Sequence, residues 1–81
     1  MITLEERRNF YFQRANGTLV LLVENCTEKE ACATMMTFLN ERNYKSYYTR
    51  IYQTAHGATC YDVGSWSEQF IWAVDEETAL K

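Results

Sequence analysis

Apolar and polar positions alternate on either side of Asn16-Gly17, recur at three- and four-residue spacing from Glu28 to Arg42, and alternate again from Tyr44 to Val74. Each of these changes of period marks an element. Asn9–Arg14 and Thr18–Glu24 flank Ala15-Asn16-Gly17, and Asn-Gly between two apolar runs signals a β-hairpin because both turn positions need positive φ. If Asn16 and Gly17 form a two-residue loop, Ala15 is expected to face Thr18, Gln13 Val20, Phe12 Leu21, Tyr11 Leu22 and Phe10 Val23. That register puts Phe10, Phe12, Leu19, Leu21 and Val23 on a core face. Tyr11, Val20 and Leu22 fall on the other face beside Asn9, Gln13 and Thr18, which is more apolar than a wet surface requires.

Thr27-Glu-Lys-Glu30 has the spacing of a capping box, in which the Thr27 hydroxyl accepts from the Glu30 backbone and the Glu30 carboxylate reaches back. An amphipathic helix is expected from Glu28 to Arg42. Ala31, Cys32, Met35, Phe38, Leu39 and Arg42 form its inner stripe, and Met35, Met36 and Phe38 read as core fillers rather than a recognition groove.

Four of the six tyrosines lie between Tyr44 and Thr54, a stretch without glycine or proline whose aromatic and β-branched residues predict a strand. Period two places Tyr44, Ser46, Tyr48, Arg50 and Tyr52 on one face and Lys45, Tyr47, Thr49, Ile51 and Gln53 on the other. Ala55-His56-Gly57 reads as a three-residue hairpin loop with Gly57 in the left-handed position. It sets Tyr52 against Cys60, Ile51 against Tyr61 and Arg50 against Asp62, where an ion pair would support the register, whereas a two-residue His56-Gly57 loop would destroy it. Tyr47 and Ile51 are then expected to face the helix, and Tyr48, Arg50 and Tyr52 to face a partner. Glu68–Val74 reads as a third strand of a meander, favoured over a helix begun by Ser65 and Glu68 because Phe70-Ile71-Trp72 is strand-forming. Residues 1–8 are expected to be a loose lead-in or a short helical turn and 75–81 a frayed acidic tail. The resulting fold class is α+β in the order ββαβββ, with antiparallel hairpins and one amphipathic helix packed on the sheet.

Composition narrows the function rather than the fold. With 81 residues and 9.6 kDa the chain has room for a single domain with one core. A net charge of −3 and a pI near 5.0 argue against nonspecific nucleic-acid binding, which depends on a basic surface. The odd set Cys26, Cys32 and Cys60 reads as reduced thiols, and so as a cytoplasmic protein. No apolar run approaches the roughly 18 residues of a membrane span, and the opening residues look like neither a signal nor a transit peptide.

The residues also argue against catalysis. His56 sits at a turn tip, where pairing with a thiol for nucleophilic attack is disfavoured. Cys26 and Cys32 lack zinc-knuckle spacing, each glycine is explained by a turn, and nothing separates the pKa values of Glu24, Asp62 and Glu68. No cofactor, metal or enzymatic activity is expected. What remains is a surface rich in Tyr, Trp and cations, drawn from Tyr44, Lys45, Tyr47, Tyr48, Arg50, Tyr52, Tyr61 and Trp66. Such residues are enriched at protein-interface hot spots, and they also stack bases. The binding residues expected from this surface are Tyr44, Tyr48, Arg50, Tyr52 and Trp66. The expected partner is another protein, with a homodimer formed through a sheet face or strand edge; a nucleotide or single-stranded nucleic acid stacked near Arg50 is the alternative.

Tyr44-Lys-Ser-Tyr-Tyr-Thr-Arg-Ile51 followed by Tyr61-Asp-Val-Gly-Ser-Trp-Ser-Glu68 resembles the C-terminal half of small accessory proteins encoded by bacteriophages and mobile elements of Gram-positive bacteria. The likeness covers about a third of the chain. It implies a stand-alone factor that binds and blocks a host protein, host defence nucleases included, and no functional residue carries over from it.

Overall fold

A computed structural model describes residues 6–42, 49–64 and 68–80. Strands β1 (Arg8–Gln13) and β2 (Leu19–Cys26) precede helix α1 (Glu28–Glu41). Strands β3 (Arg50–Gln53), β4 (Thr59–Asp62) and β5 (Gln69–Ala73) follow, and the short helix α2 (Glu76–Leu80) comes last. The five strands make one sheet in the order β2-β1-β5-β4-β3 with every neighbouring pair antiparallel. The expected α+β class is therefore present, with α1 packed on one sheet face. The β1–β5 pairing welds the first hairpin to the meander, with Phe10 against Trp72 and Phe12 against Phe70.

The second hairpin has the expected register, with Arg50 opposite Asp62, Ile51 opposite Tyr61 and Tyr52 opposite Cys60. The Thr54 N–H donates to the Ala58 carbonyl at 2.9 Å, and Gly57 takes φ +88° to close the three-residue loop. No ion pair joins Arg50 to Asp62, whose carboxylate accepts the Gly64 backbone N–H at 2.9 Å.

In the first hairpin the loop has three residues, not two. The Arg14 N–H donates to the Thr18 carbonyl at 2.8 Å, and Gly17 at φ +89° holds the left-handed position. The register near the loop moves by one, to Tyr11 opposite Leu21 and Phe12 opposite Val20, and a bulge then restores the expected pairing of Phe10 with Val23. A one-residue slip exchanges faces. Val20 and Leu22 consequently join Phe10 and Phe12 under α1, while Leu19 and Leu21 turn to the opposite face with Tyr11.

The core beneath α1 is aromatic. Phe70 lies 5.6 Å from the Phe10 ring, 5.3 Å from Phe12 and 5.5 Å from Phe38, and Ala31, Met35 and Leu39 close over the group. Such pairs contribute about 0.5–1.5 kcal/mol each beyond their area burial. Trp72 donates its indole N–H to the Cys26 carbonyl at 3.0 Å, and the Arg8 guanidinium covers its ring at 4.5 Å. Both arms of the Thr27–Glu30 capping box are made, at 3.2 and 2.9 Å. Met36, read as a core filler, is exposed.

Two expected boundaries move. Arg8, placed in the lead-in, begins β1 and hydrogen-bonds the Gly57 carbonyl across the sheet at 2.7 Å. The segment read as a frayed tail contains α2, capped by the Asp75 carboxylate on the Thr78 N–H at 2.7 Å, and its Ala79 is buried against the second sheet face. Among the described residues no helix is long and apolar enough to cross a membrane.

Candidate interaction surface

Away from α1, direct pairings line up Leu21, Tyr11, Ile71, Cys60 and Tyr52 in one row across all five strands. The centre of the row is buried with Ala58, Ala73 and Ala79, and its ends emerge, with Leu21 at 44% and Tyr52 at 37% exposure. A polar row runs beside it. The Tyr52 hydroxyl donates to Gln69 Oε1 at 2.6 Å, and Gln69 Nε2 donates to Gln13 Oε1 at 3.0 Å. This chain pins the Tyr52 ring over the sheet.

The cation of the surface sits at its outer end. The Arg50 guanidinium lies 5.6 Å from the Tyr52 ring centre, and among the described residues no carboxylate is paired with it. Burial pushes the Tyr52 phenol above its ordinary value, the Cys60 thiol and Asp62 push the same way, and Arg50 opposes them. Tyr52 is therefore a neutral hydrogen-bonding aromatic beside a cation, a combination suited to carbonyls, carboxylates and rings on a partner.

Of the five expected binding residues, Arg50 and Tyr52 occupy this surface together, while Tyr44, Tyr48 and Trp66 lie outside the described residues. Two readings need correction. Tyr61, counted with the surface aromatics, is 1% exposed in the core beneath α1. Ile51 does share that face through its pairing with Tyr61, yet it is 58% exposed because β3 is the outer strand and its side chains are not covered. Leu21 and the Gln13–Gln69 link belong to the surface and were missed, Leu21 because the loop length decided its face.

The groups considered for catalysis are dispersed. Cys26 and Cys60 are buried in clusters on opposite sides of the sheet, His56 is exposed at the loop tip, and among the described residues no His, Cys, Asp and Glu gather as a metal set. Burial pushes both the Cys26 and Cys60 thiols up, away from the thiolate form. A cleft of about 210 Å³ opens on the α1 side between Phe12, Phe38, Leu39, Val63 and Phe70, with Arg42 and Glu68 3.9 Å apart at its rim. A shallower concavity of about 670 Å³ adjoins it along Phe12, Arg14, Val20, Phe38 and Arg42, within the roughly 300–1,000 Å³ of small-molecule sites. Both lie on the sheet face opposite Arg50 and Tyr52. No family model, curated protein or solved structure matches this chain.

Proposed function

We propose that this chain is a small, non-enzymatic cytoplasmic protein that works by binding and covering a surface of another protein, as phage-type inhibitors of host defence proteins do, and that it self-associates as a homodimer. The observation that carries the reading is the contrast between two adjacent strands. All four residues of β3 are exposed, among them Arg50, Ile51 and Tyr52, whereas its neighbour β4 is buried through Thr59, Cys60 and Tyr61. Arg and Tyr are anchor residues of protein interfaces, and truncating such anchors often costs more than about 2 kcal/mol of binding. The resemblance of residues 44–51 and 61–68 to phage accessory proteins supports the inhibitory role.

The second reading, a nucleotide or single-stranded nucleic-acid module, is favoured by the Arg50 guanidinium over the Tyr52 ring, where a base could stack. Affinity capture from host lysate with the wild-type chain, Arg50→Ala and Tyr52→Ala, beside a thermal-shift panel of nucleotides, separates the two. A partner captured by the wild type and lost by folded variants supports occlusion. Nucleotide stabilisation that Arg50→Ala abolishes supports the second reading; at about 100 times Kd it amounts to roughly 2.7 kcal/mol. Capture indifferent to both substitutions, with no nucleotide effect, removes this surface from consideration.

A further inference from the structure

We infer that the homodimer forms by antiparallel pairing of β3 with β3 of a second copy, about a twofold axis perpendicular to the sheet and passing beside Ile51. The inference rests on the proposed self-association; the edge and the register are what it adds.

The sheet has two outer strands, and they differ. The register of β2 is broken twice, and Asn25 adopts φ 49° at its far end, so its edge is bent out of line. Bulges of this kind are how natural sheets prevent edge pairing. Strand β3 pairs with β4 without interruption from Arg50 to Gln53, has no proline, and has no partner on its outer side among the described residues.

The hairpin fixes which backbone groups that edge presents. The hydrogen-bonded closing pair Thr54–Ala58 makes Tyr52–Cys60 and Arg50–Asp62 the next hydrogen-bonded pairs, because the two pair types alternate. The N–H and C=O of Ile51 and Gln53 therefore point outward. A twofold axis beside Ile51 lets the two Ile51 residues exchange both backbone hydrogen bonds. It also sets the two exposed Ile51 side chains together on one face and each Arg50 opposite Tyr52 of the other copy on the reverse face. Apolar meets apolar, and cation meets ring. An axis beside Tyr52 instead opposes the two Tyr52 rings but sets Ile51 against Gln53 and Arg50 against Thr54, so the apolar Ile51 pair and both cation–ring pairs are lost. Four-residue edges bury less than the roughly 1,200 Å² of a standard interface, so the dimer is concentration-dependent. Arg50 and Tyr52 of both copies remain on one continuous face.

Sedimentation of the full chain across a concentration series to about 1 mM tests the assembly. The wild type is expected to move from monomer to dimer. Ile51→Pro, which removes an outward N–H and no β3–β4 bond, should weaken the dimer at least about tenfold while keeping the melting temperature. Ile51→Cys should give a covalent dimer on mild oxidation, since paired Cα atoms stand about 5.5 Å apart, whereas Tyr52→Cys and the wild type should not. A wild type that stays monomeric overturns both the inference and the self-association it rests on. A dimer untouched by Ile51→Pro leaves self-association standing and overturns this edge. A Tyr52→Cys crosslink in preference to Ile51→Cys overturns the register.

Discussion

Replacing Phe70 by alanine removes the ring that three others share. Phe70 is on β5, between the two halves of the sheet, and contacts Phe10 in a stacked arrangement, Phe12 in a tilted one and Phe38 edge-on. A fully buried Phe→Ala change costs about 3–5 kcal/mol, the lost transfer energy being augmented by the cavity left behind. At about 0.05–0.15 kcal/mol per residue, 81 residues give a total stability of roughly 4–12 kcal/mol. The loss is a quarter or more of that total, and at the low end of the range it brings the variant to its folding midpoint at room temperature. Phe70→Leu keeps most of the volume and forfeits ring geometry, so a loss of about 1–2 kcal/mol is expected. Ile51→Ala, at an exposed site, should stay within about 0.5 kcal/mol in the monomer. Urea unfolding followed by tryptophan fluorescence at low concentration measures all three, with each kcal/mol also visible as about 4–8 °C in Tm. A Phe70→Ala loss below about 1 kcal/mol, or an Ile51→Ala loss above about 2, would refute the placement of the core under α1 and of β3 outside it.

Thr27→Ala should cost about 1 kcal/mol and lower helical circular dichroism, since it removes one arm of the capping box. The Thr27 backbone N–H, followed by its hydroxyl, holds the Glu30 carboxyl below its ordinary 4.5, so this contribution is present above pH 4.5 and is lost as pH falls through the lower folded value; Glu30→Gln should flatten that acid loss in urea midpoints. Among the described residues no nitrogen or oxygen hydrogen-bonds the buried Tyr61 hydroxyl, which has only the weakly interacting Cys32 thiol beside it, so Tyr61→Phe should be neutral or stabilising at pH 7 by urea midpoint. Burial, with the Cys32 thiol and Glu28 nearby, pushes the Tyr61 phenol up from 10.0, so the folded state holds its proton longer and loses stability as pH rises above 10.0; Tyr61→Phe should remove that share of the alkaline loss. Gly57→Ala meets no steric contact yet must adopt φ +88°, and a loss of about 1–2 kcal/mol is expected in thermal melts.

What could be read from the chain was whatever local chemistry dictates. Thr27 and Glu30 specify their cap whatever surrounds them, and the three-residue reading of Ala55-His56-Gly57, chosen over a two-residue His56-Gly57 loop, gives all four cross-strand pairs. The first hairpin failed at the same level, because Asn16-Gly17 serves a two-residue loop or a three-residue loop equally well, and the difference exchanged the faces of Leu19 and Leu21 with those of Val20 and Leu22. Asp75 followed by Glu76 and Glu77 has the chemistry of a helix start, which the reading of 75–81 as an acidic tail did not use. Other features depended on sheet order, which periodicity does not encode. Tyr61 and Ile51 are cross-strand partners on one face, yet one is buried and the other exposed only because β4 lies inside the sheet and β3 at its edge. The candidate surface has the same origin. Arg50 and Tyr52 are available to a partner because strand order put them at the margin, so a substitution that altered pairing between β4 and β5 would remove the site without touching either residue.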